Sequence, residues 1–419
     1  MYDKVTTDLN FVEREKKILK FWQDNNIFEE TIEERKDCRP YTFYDGPPTA
    51  NGQPHIGHVL TRVIKDIIPR YRTMKGYNVL RKAGWDTHGL PVELEVEKLL
   101  GIDGKEQIEA YGLEPFIQKC KESVWKYKGM WEDFSQTVGF WADMENPYVT
   151  YHNEYIESEW WSLKQIWEKG LLYKGFKIVP YCPRCGTPLS SHEVAQGYKD
   201  VKEKSVIAKF RLKGSKDEYI LAWTTTPWTL PSNVALCVNP DETYVKVKVQ
   251  VDEKGNVLKK DGSCSCGHDH EKAHPAQVST EYYIMAEALL AAVIEGDYEI
   301  VARYTGKELE YMEYEPLFDY AKVDKKAYYV TCDHYVTLTD GTGVVHIAPA
   351  FGEDDNRVGK IYDLPFVQLI DGKGEFKPEA TDLAGLFCKA ADEPIMKMLA
   401  SKGLLFKILK FEHSYPFCW

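Results

Sequence analysis

Apolar positions along this chain follow two rhythms, and the change between them divides it. Over residues 8–26, Phe11, Ile18, Leu19 and Trp22 fall on one helical stripe, with Asp8 or Asn10 placed to cap it. The pattern predicts an amphipathic helix that packs on a larger body. Residues 41–44 are a short apolar-aromatic run and predict a strand. A turn rich in Gly and Pro follows at 46–54, then a helical pattern from about His55 to Met74 that Pro69 should kink. Residues 78–83 predict a second strand. Strand, turn, helix, strand is the opening unit of a parallel sheet. Further on, Phe116, Ile117, Cys120, Val124, Tyr127, Met130, Trp131 and Phe134 mark one long helix. Ile156, Trp160, Leu163 and Trp167 mark another over about 153–169. Both aromatic stripes are expected to be core. From about 194 to 406 the period shortens. Segments 206–211, 219–223, 233–238 and 243–249 alternate or run apolar and end near turn residues, which predicts a β-rich region.

The turn between the first strand and helix carries the densest chemistry. A strand that leads through a tight loop into a helix presents an anion to unpaired N–H groups and to the positive end of the helix dipole. His55 and His58, three residues apart, share a face of the first turn and can donate hydrogen bonds to phosphate oxygens as charge builds. Gly57 leaves space where a ligand ring could press on the backbone. Two histidines on a helix are, taken alone, more often a surface or core pair. Asp86 follows the second strand, at the carboxyl end where open α/β sheets hold ligands, and could take an ammonium group; a turn or capping role is the plain alternative.

Three further clusters stand out. Trp223-Thr224-Thr225-Thr226-Pro227-Trp228-Thr229 gathers hydroxyls that can hold a ribose or a water, although Thr also simply favours strands. In residues 341–355 an apolar strand delivers His346 to a loop ending in Glu353, Asp354 and Asp355; a solvated acidic turn is the plain reading. Cys182-Pro183-Arg184-Cys185-Gly186 is a knuckle that aims two thiolates at one point, half of a structural zinc site. The stretch 263–274, SCSCGHDHEKAH, could bind a metal but reads more simply as an exposed polar loop.

Composition narrows the class. The chain has 419 residues, room for two or three domains, and 43% hydrophobic with 28% charged content is that of a globular protein. A net charge of −12 argues against general affinity for RNA while leaving room for a local basic path. Ten cysteines, few of them closely spaced, and no secretory signal imply a reduced, cytoplasmic protein. No apolar run approaches the ~20 residues that span a bilayer. The longest, 285–294, carries Glu287.

His55-Ile56-Gly57-His58, the Asp45-Gly46-Pro47-Pro48 turn and Gly84-Trp85-Asp86-Thr87-His88-Gly89 together resemble the class I aminoacyl-tRNA synthetases, and among them the isoleucine enzymes. The Thr loop and the 341–355 segment, in that order, match the editing site of the same family. The resemblance covers nearly the whole chain. It implies an α/β fold: half of a Rossmann-like parallel-sheet nucleotide-binding domain with an inserted β-rich editing domain. A bracing helix would occupy 1–40, the first catalytic half 41–193, the editing domain 194–406 and the return to the catalytic domain 407–419. It implies ATP-dependent activation of isoleucine, attachment to the isoleucine tRNA, and hydrolytic editing of valyl-tRNA. His55, Gly57 and His58 would act on ATP with Mg2+; Gly46, Pro47 and Asp86 would bind isoleucine. Thr224, Thr225 and Thr226 would surround the ester and its water, His346 would help exclude isoleucine, and Asp355 would hold the ammonium. Cys182, Cys185 and Cys418 would hold structural Zn2+. One methylene is worth only ~1–3 kcal/mol in a pocket, a limit for which these enzymes are themselves the usual illustration, so a second sieve raises fidelity.

Departures from the family pattern matter as much. The partner of Cys418 would be residue 421, two past the last residue, as truncation would produce. The lysine-rich second signature of the class is missing; 396–402 resembles it only superficially and lies on a helical stretch. The chain is therefore expected to be inactive in ligation by itself, and to be monomeric. Two rivals follow: a freestanding editing hydrolase, and a non-catalytic zinc or tRNA-binding scaffold.

Overall fold

The computed structural model describes residues 7, 9–43, 45–49, 52–195, 197–253, 255–259 and 278–418. The Cys/His-rich stretch 263–274 lies outside the described residues. The chain divides into two compact units, Met1–Lys174 and Gly175–Trp419.

The first unit is mostly helical, with short parallel ladders. Its elements are α1 (Phe11–Asp24), α2 (Ile27–Glu33), β1 (Pro40–Tyr41), α3 (Ile56–Met74), β2 (Asn78–Val79), β3 (Lys82–Trp85), α4 (Leu90–Leu100), α5 (Lys105–Tyr111), α6 (Leu113–Val124), α7 (Lys128–Thr137), β4 (Asp143–Val149) and α8 (Asn153–Glu168). Strand β1 pairs with β2 and β3 with β4, both parallel. The second strand expected from sequence is thus two strands with different partners. The buried Arg81 between them explains the break, because it turns to the end of α3 and donates to Thr73 Oγ1 at 2.6 Å. Helix α3 runs through Pro69 without ending.

Three sequence expectations need correction here. Asn10 caps α1, but no residue of α1 is buried; Leu19 and Trp22 are half-buried while Phe11 and Ile18 are exposed. Trp22 packs edge-on against Trp141 at 5.0 Å, and the Arg70 guanidinium lies over both rings. The single helix expected over 116–134 is broken between α6 and α7, where Trp125 Nε1 donates to Tyr151 OH at 2.9 Å. Phe116, Val124 and Trp131 are buried as expected, but Ile117 and Met130 are exposed. The aromatic stripe of α8 is not core: Trp160 is 70% exposed and Trp167 66%. Periodicity identifies an apolar face, not what covers it.

The second unit opens with β5 (Tyr181–Cys182), β6 (Thr187–Pro188) and α9 (Ser191–Ala195). Nine strands then form one mixed sheet: β7 (Tyr198–Arg211), β8 (Glu218–Thr224), β9 (Ala235–Val238), β10 (Thr243–Val251), β11 (Ser279–Ala286), β12 (Tyr298–Thr305), β13 (Tyr329–Cys332), β14 (Val344–Ile347) and β15 (Leu405–Pro416). Helices α10 (Leu290–Val293), α11 (Gly306–Leu309), α12 (Glu353–Ile361) and α13 (Asp392–Ser401) lie between the strands in sequence. The order is β12-β10-β11-β8-β14-β9-β13, with β7 on β8 and β15 on β7. Alternation fills both faces. Val206, Ala208, Phe210, Ile220, Ala222 and Ile284 enter one core; Ile207, Leu221, Val245, Val247, Tyr283 and Met285 enter the other. A sheet buried on both sides fixes its register, because a slip of one residue would exchange the two cores.

The turn before β14 depends on this close packing. Gly341 has φ +74°, and a Cβ there would meet the Trp223 ring at 2.7 Å. Gly341→Ala should lower stability by about 1–3 kcal/mol, read as a reduced urea midpoint. An unchanged midpoint would mean that the Trp223 ring is not fixed against this turn.

Candidate active sites

In the first unit the two histidines cap their own helix. His55 is the residue ahead of α3, and its Nδ1 accepts from Gly57 N–H at 3.1 Å. His58 Nδ1 accepts from His55 N–H at 3.0 Å. This is a capping box built from imidazoles rather than hydroxyl and carboxylate. Because each Nδ1 accepts, the proton of each neutral ring sits on Nε2. Two N–H donors are therefore left available at a helix N-terminus, the arrangement that suits a phosphate. Burial, then the neighbouring His55 and Arg62, lower the pKa of His58 and favour its neutral form. The rings lie 3.8 Å apart, and Trp131 backs His58 at 4.7 Å. Gly57 has a more local role than expected from sequence: a Cβ there would meet His55 Cε1 at 2.9 Å, so the glycine makes room for the capping ring.

The turn of Gly46 and Pro47 is tied down from several sides. Lys65 Nζ donates to Gly46 O at 2.6 Å and pairs with Asp45 at 2.7 Å. Tyr148 OH donates to Asp45 O at 2.8 Å, and Trp131 Nε1 to Gly52 O at 2.9 Å. Asp86 adjoins this turn: its N–H donates to Pro48 O at 3.1 Å, and Thr49 Oγ1 donates to its Oδ2 at 3.3 Å. Gly46, Pro47 and Asp86 thus border one place. Lys65, Tyr148 and Trp131 were missed as supports, since nothing local in sequence marks a side chain that reaches a distant turn.

In the second unit a chain of side-chain hydrogen bonds joins residues more than a hundred positions apart. Thr224 Oγ1 accepts from Thr226 N–H at 3.1 Å. Thr226 Oγ1 lies 3.3 Å from Thr224 Oγ1 and 3.3 Å from Thr229 Oγ1. Thr229 Oγ1 donates to Thr226 O at 2.8 Å and lies 3.0 Å from His346 Nε2. Its single proton is committed to Thr226 O, so His346 Nε2–H must be the donor to Thr229. That leaves His346 Nδ1 as a bare acceptor, buried and without a partner among the described residues. Burial pushes the His346 pKa down to about 4, so the ring is neutral. Thr229 closes the threonine run read from sequence, but its bond to His346 was not expected, and Thr225 takes no part in this chain.

Asp355 sits in the first turn of α12, just beyond β14, and its Oδ2 accepts from Ala348 N–H at 2.9 Å. A Cβ on Gly352 would meet Asp355 Cγ at 2.8 Å, so this glycine lets the carboxyl fold back. Burial raises Asp355 to about 6, outweighing the Ala348 N–H, which lowers it. A carboxylate that pays this cost gains from an incoming cation.

The knuckle closes as its spacing implies. Cys185 N–H donates to Cys182 Sγ at 3.4 Å, and Cys185 Sγ lies 4.0 Å from Cys418 Sγ. All three sulfurs fall within 4.8 Å of one another. The antiparallel pairing of β7 with β15, ending at Pro416 opposite Tyr198, brings Cys418 back to the knuckle. Burial raises the Cys182 thiol, but backbone N–H groups and the neighbouring thiols more than offset this, and its pKa falls. Cys185 is pushed up to about 12 by burial and by Cys182. Three sulfurs this close together are a donor set suited to a soft divalent ion. Every described cysteine is a free thiol, and among the described residues no helix is long and apolar enough to cross a membrane.

The family described as tRNA synthetases class I (I, L, M and V) matches residues 17–352. The chain belongs to this family. It is 56% identical over all 419 residues to an isoleucine--tRNA ligase of Clostridium novyi, and 50% identical over 416 residues to one of Bacillus thuringiensis. It covers 100% and 99% of its own length in these matches but 38% and 37% of theirs; the chain thus spans well under half of these relatives. Slighter likenesses join it to solved structures. A leucyl-tRNA synthetase in complex with tRNA, from Agrobacterium radiobacter, gives a TM-score of 0.34 at 16% identity, covering 97% of this chain and 48% of that one. A cytosolic leucyl-tRNA synthetase editing domain from P. knowlesi gives 0.36 at 14%, covering 52% and 99%.

The two titrating groups of the second site act on stability with opposite signs. His346 is depressed from 6.5 to about 4, so the unfolded chain binds the extra proton in that window and stability falls as pH drops through it. Asp355 is raised from 3.8 to about 6, so the folded chain binds the extra proton there and stability rises as pH falls. His346→Gln removes only the first effect. From pH 6.5 to 4 its unfolding free energy should gain about 1–3 kcal/mol relative to the wild type. Parallel curves would show that His346 is not held neutral.

Proposed function

We propose that this chain carries the first part of an isoleucine--tRNA ligase, with the residues for binding ATP and isoleucine in its first unit and a hydrolytic editing pocket in its second. The hydrogen-bonded chain Thr224–Thr226–Thr229–His346, with Asp355 in the first turn of α12 accepting from Ala348 N–H just past the same strand, is the observation that supports this reading best. It brings together two segments that stand more than a hundred positions apart in the chain.

On this reading ATP, with Mg2+, meets the two Nε2–H donors of His55 and His58 at the N-terminus of α3. The donors are already aligned by the capping box and do not have to reorganise as phosphate charge develops. Asp86 receives the ammonium of isoleucine beside Gly46 and Pro47. Carboxylate attack on the α-phosphate gives the aminoacyl-adenylate and pyrophosphate, and transfer to the isoleucine tRNA follows.

The editing pocket hydrolyses the ester of valyl-tRNA. A water oxygen bonds to the carbonyl carbon, the bond to the ribose oxygen breaks, and the water's proton ends on that oxygen. Threonine hydroxyls hold ribose and water. Asp355 takes the substrate ammonium, which offsets the cost of burying its carboxylate. Neutral His346, fixed by Thr229, forms a wall that admits valine and excludes the longer isoleucine. Cys182, Cys185 and Cys418 would hold a zinc ion that braces the knuckle against β15.

Hydrolysis of valyl- against isoleucyl-tRNA carrying the isoleucine anticodon tests this. The 419-residue chain should hydrolyse the valyl ester at least tenfold faster, and Asp355→Ala should lose most of that activity through weaker substrate binding. Equal rates on both esters, or preference for a leucyl or threonyl ester, would contradict the assignment.

A further inference from the structure

The turn that carries the threonines is short of one hydrogen bond that it would ordinarily make for itself. Residues Pro227–Ser232 form a 3₁₀ turn after β8, and Thr226 stands at its N-cap. A threonine there normally turns its hydroxyl onto one of the next backbone N–H groups. Thr226 does not: no side-chain cap bond is made, and its Oγ1 faces Thr224 and Thr229 instead. The Trp228 N–H that needs a partner finds one 164 positions away, donating to Asp392 Oδ1 at 2.9 Å. Asp392 is the first residue of α13.

We propose that Asp392 is a positioning residue for the threonine pocket. By capping Trp228 from another element it holds the 226–229 turn in place, and it leaves the Thr226 hydroxyl to serve the substrate. This rests on the editing reading above.

The surroundings fit a fixed anchor. Lys389, three residues earlier, pairs with Glu203 of β7 at 2.7 Å, and His413 of β15 approaches the other Glu203 oxygen at 3.3 Å. Glu203 and Lys389 are the charged groups that act on Asp392, with opposite signs. Burial lifts Asp392 to about 6, so it is ionised at neutral pH, the form that accepts most strongly. The Trp228 ring packs edge-on against Phe351 at 5.0 Å, next to Gly352 and the turn that bears Asp355. A shift of the Trp228 backbone would therefore be felt on both sides of the pocket.

The test compares Asp392→Ala, which removes the acceptor, with Asp392→Asn, which keeps a carbonyl in its place. Valyl-tRNA hydrolysis by the 419-residue chain is resolved into kcat and KM, and amide exchange is followed over residues 224–232. Asp392→Ala should lower kcat about tenfold or more with KM changed less than about twofold, and should speed exchange at 226–229. Asp392→Asn should restore kcat to within about threefold of the wild type. Unchanged kcat in Asp392→Ala, equal loss in both variants, or exchange identical in all three proteins would each overturn the proposal. A wild-type chain that hydrolyses no valyl-tRNA would sink the editing reading; the exchange comparison would then still decide whether Asp392 holds the turn.

Discussion

The hydrogen bond between Thr229 Oγ1 and His346 Nε2 is the constraint on which the proposed editing pocket of the second unit rests. It links two segments that the sheet brings near each other but does not itself join: the turn after β8 and the strand β14. Strand β14 pairs with β8 only at Val345 opposite Trp223, and along its length with β9. The ladder sets the height of His346 within the sheet. The side-chain bond sets the direction of its ring, its tautomer, and the direction of the threonine hydroxyls. A buried polar pair of this kind is costly to leave half-made, and the cost is what makes it specify one geometry.

The first unit solves a comparable problem with a different bond. At α3 the imidazoles spend their Nδ1 lone pairs on the backbone, which puts the proton of each neutral ring on Nε2. In the second unit His346 spends Nε2–H on Thr229 and keeps a bare Nδ1. One pair is set up to donate, the other ring to accept. In each case a neighbouring local contact decides which nitrogen carries the proton, and burial keeps His58 and His346 toward the neutral form.

Much of this was legible in sequence, for identifiable reasons. Strands β8 to β10 and the buried half of β7 fall close to where alternation and β-branched residues put them, because both faces of the sheet are buried there; the exposed first half of β7, from Tyr198, was not expected. The knuckle is legible because CxxC is a local geometry. Helix caps were legible where the residue is Asn, as at Asn10, and not where it is His55. The break between α6 and α7 was not, and the partner that the Trp125 indole finds there, Tyr151, lies outside any local window. Nor was the exposure of Trp160 and Trp167, because an apolar stripe does not name its cover. The bonds of Thr229 to His346 and of Trp228 to Asp392 were missed for the same physical reason: the partners are 117 and 164 residues apart, and no spacing rule reaches that far.

A double-mutant cycle tests the central claim most directly, with Thr229→Val and His346→Leu made singly and together and unfolding free energies measured in urea. If the Thr229–His346 bond organises the pocket, the two losses will not add, and a coupling of about 0.5–3 kcal/mol will appear. Strict additivity would contradict the account, since it would mean that the two side chains stand close together without depending on each other.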